Sequence, residues 1–390
     1  MHTPMRGDMA EHVELLGSVN ETENRVAPLL AVCIPTHNRR EALEECLKSV
    51  LPQADALGVG VCVSDNGSSD GTWQALETLK HQYPWMQIIR HTRNIGYRGN
   101  TIGAVLSCRA QYVWPIGDKW VLLPGALEFL VAELVRLHPD AVVVNGSFDS
   151  DTKGLGDKAR LHPDAVVVNR PIVSVSIVEK IYSAPQFCLT ELAWYTALLG
   201  AAILPRQAWV DMLHVQPPSR DFPQVVAFFV HLATLSAPQV LFLGRVFFQV
   251  GKSVTENHTA SSWRADRPLE TWGRNWQDAV MSLPAPYSTN DKLQAVGSCS
   301  EHWGACCLSE LMQLRVQGEL TLQRLYAEQT PLRAAISVPW WSAVVISVAP
   351  RWMLRALMRA SLRVHPRRML RAIRSRLRLP RGQHANRSAQ

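Results

Sequence analysis

Four short apolar runs, each closed by turn-forming polar residues, constrain this chain more than any other feature. The runs are Leu29-Leu30-Ala31-Val32-Cys33-Ile34, Val59-Gly60-Val61-Cys62-Val63, Met86-Gln87-Ile88-Ile89 and Tyr112-Val113-Trp114-Pro115-Ile116. They end in Pro35-Thr36-His37-Asn38-Arg39, Ser64-Asp65-Asn66-Gly67-Ser68-Ser69-Asp70-Gly71, Arg93-Asn94-Ile95-Gly96-Tyr97-Arg98-Gly99-Asn100 and Gly117-Asp118-Lys119-Trp120. Helix-length segments separate them, and strands alternating with helices predict a parallel sheet with crossover connections. Ligands of such sheets bind outside the carboxyl ends of the strands, where all four polar clusters would gather. Helices are expected over 40–51 (stopped near Pro52), from Asp70 to just before Tyr83-Pro84, over 99–110, and after Pro124 on Leu127, Leu130, Val131, Leu134 and Val135.

The clusters carry definite chemistry. Asp65, at a strand end, offers a carboxylate to a base edge or to ribose hydroxyls, and Asn66-Gly67 permit the positive φ of a tight turn. Asp70 stands where a helix cap belongs. The same residues also fit a solvated turn. Arg39 and Arg98 suit a diphosphate through the guanidinium fork, or are surface charges.

Taken together, the clusters resemble the signatures of the family 2 glycosyltransferases, inverting enzymes with a nucleotide-diphospho-sugar transferase (Rossmann-like GT-A) fold. Pro35-Thr36-His37-Asn38-Arg39 is similar to the first-strand signature of that family, Ser64 to Thr72 to the second, and Arg93-Asn94-Ile95-Gly96 with Asn100 to the third. The Gly117-Asp118 turn followed by Val121-Leu122-Leu123-Pro124-Gly125-Ala126-Leu127 looks like transferases of the abequosyltransferase kind, which build bacterial surface polysaccharides. The resemblance implies an α/β fold with a mostly parallel sheet flanked by helices. It implies a nucleotide-sugar donor held by Pro35, Thr36, Asn38, Arg39, Asp65, Asn66, Asn94, Gly96, Arg98, Asn100, Asp118 and Lys119. It also implies Mg2+ or Mn2+ on the diphosphate, held by a run of aspartates after the fourth strand. Here that run reads Asp118-Lys119-Trp120. Trp cannot ligate a hard cation and Lys repels one. Either Lys119 supplies the positive charge and the enzyme is metal-independent, or the chain is a non-catalytic nucleotide-sugar-binding partner. Inversion needs a general base, and Asp221 is the candidate with Glu191 second; Asp221 fits equally well as a cap for the helix that Phe222-Pro223 would begin.

Outside the motifs the chain divides into a disordered lead-in (1–27), a glycosyltransferase domain (28–250), a helical acceptor-side extension (251–330) and a tail (331–390). A strand is expected at 172–177 and a helix over 189–199. Trp194, Tyr195, Trp263, Trp272 and Trp276 fit sugar stacking or, by default, core packing. Within the domain, Arg136-Leu137-His138-Pro139-Asp140-Ala141-Val142-Val143-Val144-Asn145 is repeated letter for letter 24 residues later, ending at Asn169. A sheet of this kind has one slot for the pair, so one copy is expected inside it and the other at an edge or in a loop.

Eight scattered cysteines without Cys-x-x-Cys spacing suit a reducing compartment. The first 25 residues lack the apolar core of a signal peptide. These two features predict a cytoplasmic protein, and the tail adds a peripheral seat on the inner face of the cell membrane. No acidic residue follows Glu328, yet thirteen arginines do, more positive charge than the net +7 of the whole chain. Residues 334–350 are uncharged and mostly apolar but too short to span a bilayer. Beyond them Arg351, Arg355, Arg359 and Arg363 recur every four residues, with Trp352, Leu354, Leu357, Met358 and Leu362 expected on the other side. The segment 334–381 therefore reads as an anchor on an anionic membrane surface, with a saccharide or lipid-linked saccharide as acceptor and no nucleic acid as partner.

Overall fold

Each of the four apolar runs forms a strand, and each polar cluster lies at its carboxyl end. The computed structural model describes residues 27–147, 179–215, 221–251, 269–303, 308–327 and 338–364, with 329, 333 and 336 between the last two. Strands β1 (Leu30–Thr36), β2 (Gly60–Asp65), β3 (Gln87–Arg90) and β4 (Tyr112–Pro115) are joined by helices α1 (Arg40–Leu57), α2 (Thr72–Gln82) and α3 (Gly96–Ser107). The pairs β1–β2, β2–β3 and β1–β4 are parallel.

The other half of the sheet departs from the mostly parallel expectation. After β5 (Trp120–Leu122) and α4 (Ala126–Leu137) come β6 (Ala141–Ser147), β7 (Glu179–Tyr182), α5 (Pro185–Thr196), β8 (Ala202–Pro205), α6 (Arg206–Met212), α7 (Pro223–Ala233) and β9 (Val240–Val250). The strand order is β3-β2-β1-β4-β8-β6-β9-β5, with β7 also on β9. Strand β8 runs antiparallel between β4 and β6, and β5 and β7 pair antiparallel with β9. The sheet is therefore mixed, with a parallel half carrying three motifs. Its interior is filled by Trp114, Trp120, Trp209, Phe228, Phe229, Phe247 and Phe248, all essentially inaccessible.

Three helix boundaries differ from expectation. Helix α1 runs through Pro52 to Leu57, closed by Gly58 in the left-handed region. Proline there removes one intrahelical bond, whereas continuing the helix keeps Ala54 fully buried on the face that also carries Val50 and Leu51. Helix α3 starts and ends three residues early, because Gly96 (φ +83°) turns the chain directly into it. Helix α5 begins four residues early at Pro185, a residue pre-shaped for a first helical turn.

The first copy of the duplicated decapeptide enters the sheet: its Ala141–Asn145 is the buried start of β6, between β8 and β9. The second copy, the strand expected at 172–177, Trp263 and the chain beyond residue 364 lie outside the described residues. The carboxyl-terminal part is helical, as expected: α8 (Trp276–Met281), α9 (Thr289–Trp303), α10 (Leu308–Gln317), α11 (Leu322–Ala327), α12 (Trp340–Val348) and α13 (Arg351–Val364). Among the described residues no helix is long and apolar enough to cross a membrane. One expectation for α13 is corrected. Leu354 is buried, where α13 packs on α10, whereas Trp352 is 73% exposed and by helical phase shares its side with Arg355. Packing on α10 covers Leu354 and leaves Trp352, Arg355 and Leu357 exposed.

Candidate active site

Thr36 is the residue on which the rim converges. In the parallel register it lies opposite Asp65, and its carbonyl accepts from the backbone N–H of Asn66 (3.0 Å) and from the Asn100 amide (3.2 Å). Its hydroxyl donates to Asp118 Oδ2 at 2.9 Å. Arg39, one turn beyond β1, donates to Asp118 Oδ1 at 3.3 Å. Asp65 and Asp118 are thus both held through one residue at the carboxyl ends of β1, β2 and β4.

The asparagines stitch the loops together. Asn38, in the left-handed region (φ +50°), receives Ser69 N–H on its side-chain oxygen and donates its own N–H to the Ser68 hydroxyl, both at 2.8 Å. The Asn66 amide donates to Asn94 Oδ1 (2.8 Å), while its oxygen accepts from Ile95 N–H (2.8 Å). Asn100 is buried and accepts from the Ser64 hydroxyl, which also contacts His91 Nε2. Gly67 (φ +71°) allows the closest approach, since a Cβ there would stand 3.0 Å from the Arg93 carbonyl carbon. Asp70 links two helices, accepting the Arg40 N–H that opens α1 (3.1 Å) and the Thr72 N–H that opens α2 (3.1 Å). The cap position of α2 is Gly71, so Asp70, one residue earlier, is not the cap expected of it; it ties the two helix starts together instead.

Asp65 is inaccessible, its carboxylate held by Ser68 N–H (3.2 Å) and by Arg90 (3.7 Å), its register neighbour on β3. Arg90 escapes sequence reading because only the strand register brings it to Asp65. Burial raises the Asp118 carboxyl above the ordinary carboxylate range, a rise that Arg39, Thr36 and Lys119 oppose without cancelling. Lys119 is itself buried, with Nζ 4.9 Å from the centre of the Trp120 ring. Trp120 belongs to the core: its indole N–H donates to the Leu199 carbonyl (2.8 Å), and its ring packs edge-on to Phe248 at 4.8 Å. Arg98, on the first turn of α3, is half-buried.

The residues at Asp118 fit a divalent cation poorly. Both oxygens of its carboxylate face donors (Thr36 and Arg39), an ammonium follows it, and the next side chain is committed to the core. Among the described residues no three His, Cys, Asp or Glu side chains come together.

The two candidate bases are placed differently. Glu191, on α5, is exposed and pairs with Lys180 (3.2 Å) and the Tyr182 hydroxyl (3.0 Å) of edge strand β7. Asp221 precedes α7, but the cap position is Phe222 and no side chain caps that helix. Instead Asp221 Oδ2 accepts from the Asn275 amide at 2.6 Å. Phe222 holds an unusual left-handed backbone (φ +58°), clamped by its ring against Trp276 at 5.2 Å. Asn275 and Trp276, neighbours in sequence, therefore fix Asp221 and Phe222. Tyr97, in the third motif, donates its hydroxyl to Gln224 Oε1 (3.1 Å), and Gln224 donates to the Ala197 carbonyl (2.7 Å). Burial of the Tyr97 phenol raises its pKa, and the Asp221 carboxylate lies close enough to raise it further. Asp221 thus sits beside the third motif. Neither Gln224 nor Asn275 carries a motif that sequence reading could have used. Trp194, Tyr195 and Trp276 are core residues. A concavity of about 600 Å³ lined by Ser183, Pro185, Thr234 and Pro286 adjoins the opposite, amino end of β9 and includes none of the rim residues.

A parallel half-sheet with its polar turns on one rim is extended by a mixed half, in which β6 and β9 pair parallel and the other pairs antiparallel, to give a mixed α/β fold. The family model of glycosyl transferase family 2 matches residues 31–186. Abequosyltransferase RfbV of Salmonella typhimurium is 35% identical over 104 residues, 26% of this chain and 31% of that protein. The GalNAc(5)-diNAcBac-PP-undecaprenol beta-1,3-glucosyltransferase of Campylobacter jejuni is 30% identical over 105 residues, 27% of this chain and 34% of that one. The chain spans about a third of the length of these relatives. The structure of S. aureus TarS 1-349 in complex with UDP-GlcNAc superposes with a TM-score of 0.50 at 13% identity, covering 82% of this chain and 90% of that one. At that identity the likeness is one of fold.

Proposed function

We propose that this protein is an inverting glycosyltransferase of bacterial surface polysaccharide synthesis, moving one sugar from a nucleotide-sugar donor to an acceptor hydroxyl. The observation that carries the reading is the Thr36–Asp118–Arg39 knot, within one residue of Asp65 in the strand register. It gathers two carboxylates and a guanidinium on one rim, which supports a donor site there. In the reaction the acceptor oxygen bonds to the anomeric carbon as the bond from that carbon to the diphosphate oxygen breaks. The acceptor proton passes to Asp221, and the negative charge leaves with the nucleoside diphosphate. Arg39 and Lys119 supply positive charge to that leaving group, so the reading derives no step through a metal. Asp221 is preferred to Glu191 because Asn275 and Trp276 hold it beside the third motif, whereas Glu191 is paired at an outer strand.

The acceptor we infer is a saccharide or lipid-linked saccharide, met by a protein that rests peripherally on the inner face of the cell membrane through the basic tail. A panel of nucleotide-sugars and membrane-extracted acceptors, assayed with Mg2+, Mn2+ or EDTA, tests the proposal. Turnover that survives EDTA and is lost in Asp221→Asn is expected. Nucleoside diphosphate binding without turnover under every condition would instead make the chain a non-catalytic binding partner.

A further inference from the structure

Helices α12 and α13 each bury one side and expose the other. On α12, Ala343, Ile346 and Ser347 are buried, where the helix packs on α10 and α11. The opposite stripe carries Trp341, Val345 and Val348, spaced four and three residues apart and 68%, 54% and 55% exposed. On α13, Leu354 faces α10, while Trp352 is the most exposed large apolar side chain among the described residues at 73%. An indole turned to water at both helices costs solubility and gains nothing in packing. The chemistry around them is one-sided: by helical phase Trp352 shares its face with the exposed Arg355, and no acidic residue follows Glu328 while thirteen arginines do.

The geometry points to the exposed sides of α12 and α13 as a seat for an anionic lipid surface, with Trp341 and Trp352 entering the interface and Arg355 pairing with headgroups. The inference rests on the membrane reading above and changes its mechanism. On α13 Leu354 is spent on the protein body, so contact is made by the exposed Trp352, Arg355 and Leu357. Trp is suited to that depth because its ring is apolar and its N–H remains satisfied by water or headgroup. Each nearby cation adds electrostatic attraction. An anionic lipid is favoured over nucleic acid because Trp341, Val345 and Val348 form an apolar stripe with no use for a phosphate backbone. It is favoured over a second copy because the face is strongly cationic and would repel itself.

The test is co-sedimentation of the full chain with phosphatidylcholine vesicles and with vesicles containing phosphatidylglycerol, at low and moderate salt. Strong binding to the anionic vesicles only is expected. The pair W341S/W352S should weaken it at least tenfold, with unchanged circular dichroism and thermal midpoint because both side chains are exposed. The triple change R355Q/R359Q/R363Q should abolish the preference for the anionic lipid. Tight wild-type binding that W341S/W352S leaves untouched overturns this face while leaving the tail as anchor. No wild-type binding to either vesicle overturns the membrane reading altogether. Tighter binding to a polynucleotide than to the vesicles, or a dimer that W341S/W352S dissociates, also overturns the inference.

Discussion

The hydroxyl of Thr36 donates to Asp118 at 2.9 Å, joining the end of β1 to the turn after β4. The bond orients a carboxylate that burial would otherwise disfavour as a charge, and leaves Arg39 as its second partner. Replacing Thr36 by Val keeps the shape and deletes the donor. We expect transfer to fall roughly a hundredfold through misplacement of Asp118, with nucleoside diphosphate affinity little changed. Steady-state rates alongside calorimetric binding check this.

The same carboxylate is a stability liability. Its pKa is raised in the folded state, above all by desolvation, so the fold binds more protons than the unfolded chain in that window. Stability therefore declines as pH rises through the folded pKa of Asp118. Asp118→Asn should raise the thermal midpoint at neutral pH and abolish turnover. Its advantage should vanish at pH values below the ordinary aspartate pKa. Calorimetry at a series of pH values reads both effects.

Restoring a second carboxylate at the degenerate aspartate run should fail. Trp120→Asp removes a side chain that is 1% exposed and hydrogen-bonded to Leu199, and puts a charge beside Phe248. A loss of about 4 kcal/mol or more is expected, seen in urea unfolding, with no gain in Mn2+ response.

Asp70→Ala should cost about 1 kcal/mol or somewhat more, because two helix starts lose one acceptor. Its pKa is lowered: burial acts against that, and the bonds from Thr72 and Arg40 outweigh it. The contribution is therefore present above the ordinary aspartate pKa and is lost as pH falls through the lowered one. Comparing urea midpoints of wild type and variant at neutral and acidic pH checks the sign.

Gly146→Ala should destabilise by about 3 kcal/mol. A Cβ there would run into the ring of Phe248, which is itself fully buried in the sheet. Thermal unfolding of the variant measures the loss.

Much of the site was legible from local chemistry. The strand-and-turn alternation fixed the parallel half of the sheet, and the asparagines, Thr36, Arg39 and Asp118 fell together as their strand ends required. The mixed half was not legible in the same way. Strand β9 is a nearly continuous apolar run, Val240-Leu241-Phe242-Leu243-Gly244-Arg245-Val246-Phe247-Phe248-Gln249-Val250, whose direction and partners depend on long-range pairing. The positions of Arg90, Gln224 and Asn275 likewise follow from register and packing, which no local pattern encodes.

The duplicated decapeptide separates the two kinds of information. By itself the sequence determined that Ala141-Val142-Val143-Val144-Asn145 is a buried strand, because β-branched residues in a short run pay least on an interior sheet. It offered this twice in identical letters, so local propensity could not choose between the copies. The residue that follows differs, Gly146 after the first copy and Arg170 after the second. Phe248, brought alongside by the β6–β9 pairing, crowds any side chain at position 146, a tertiary contact that suits glycine there and that no local propensity encodes.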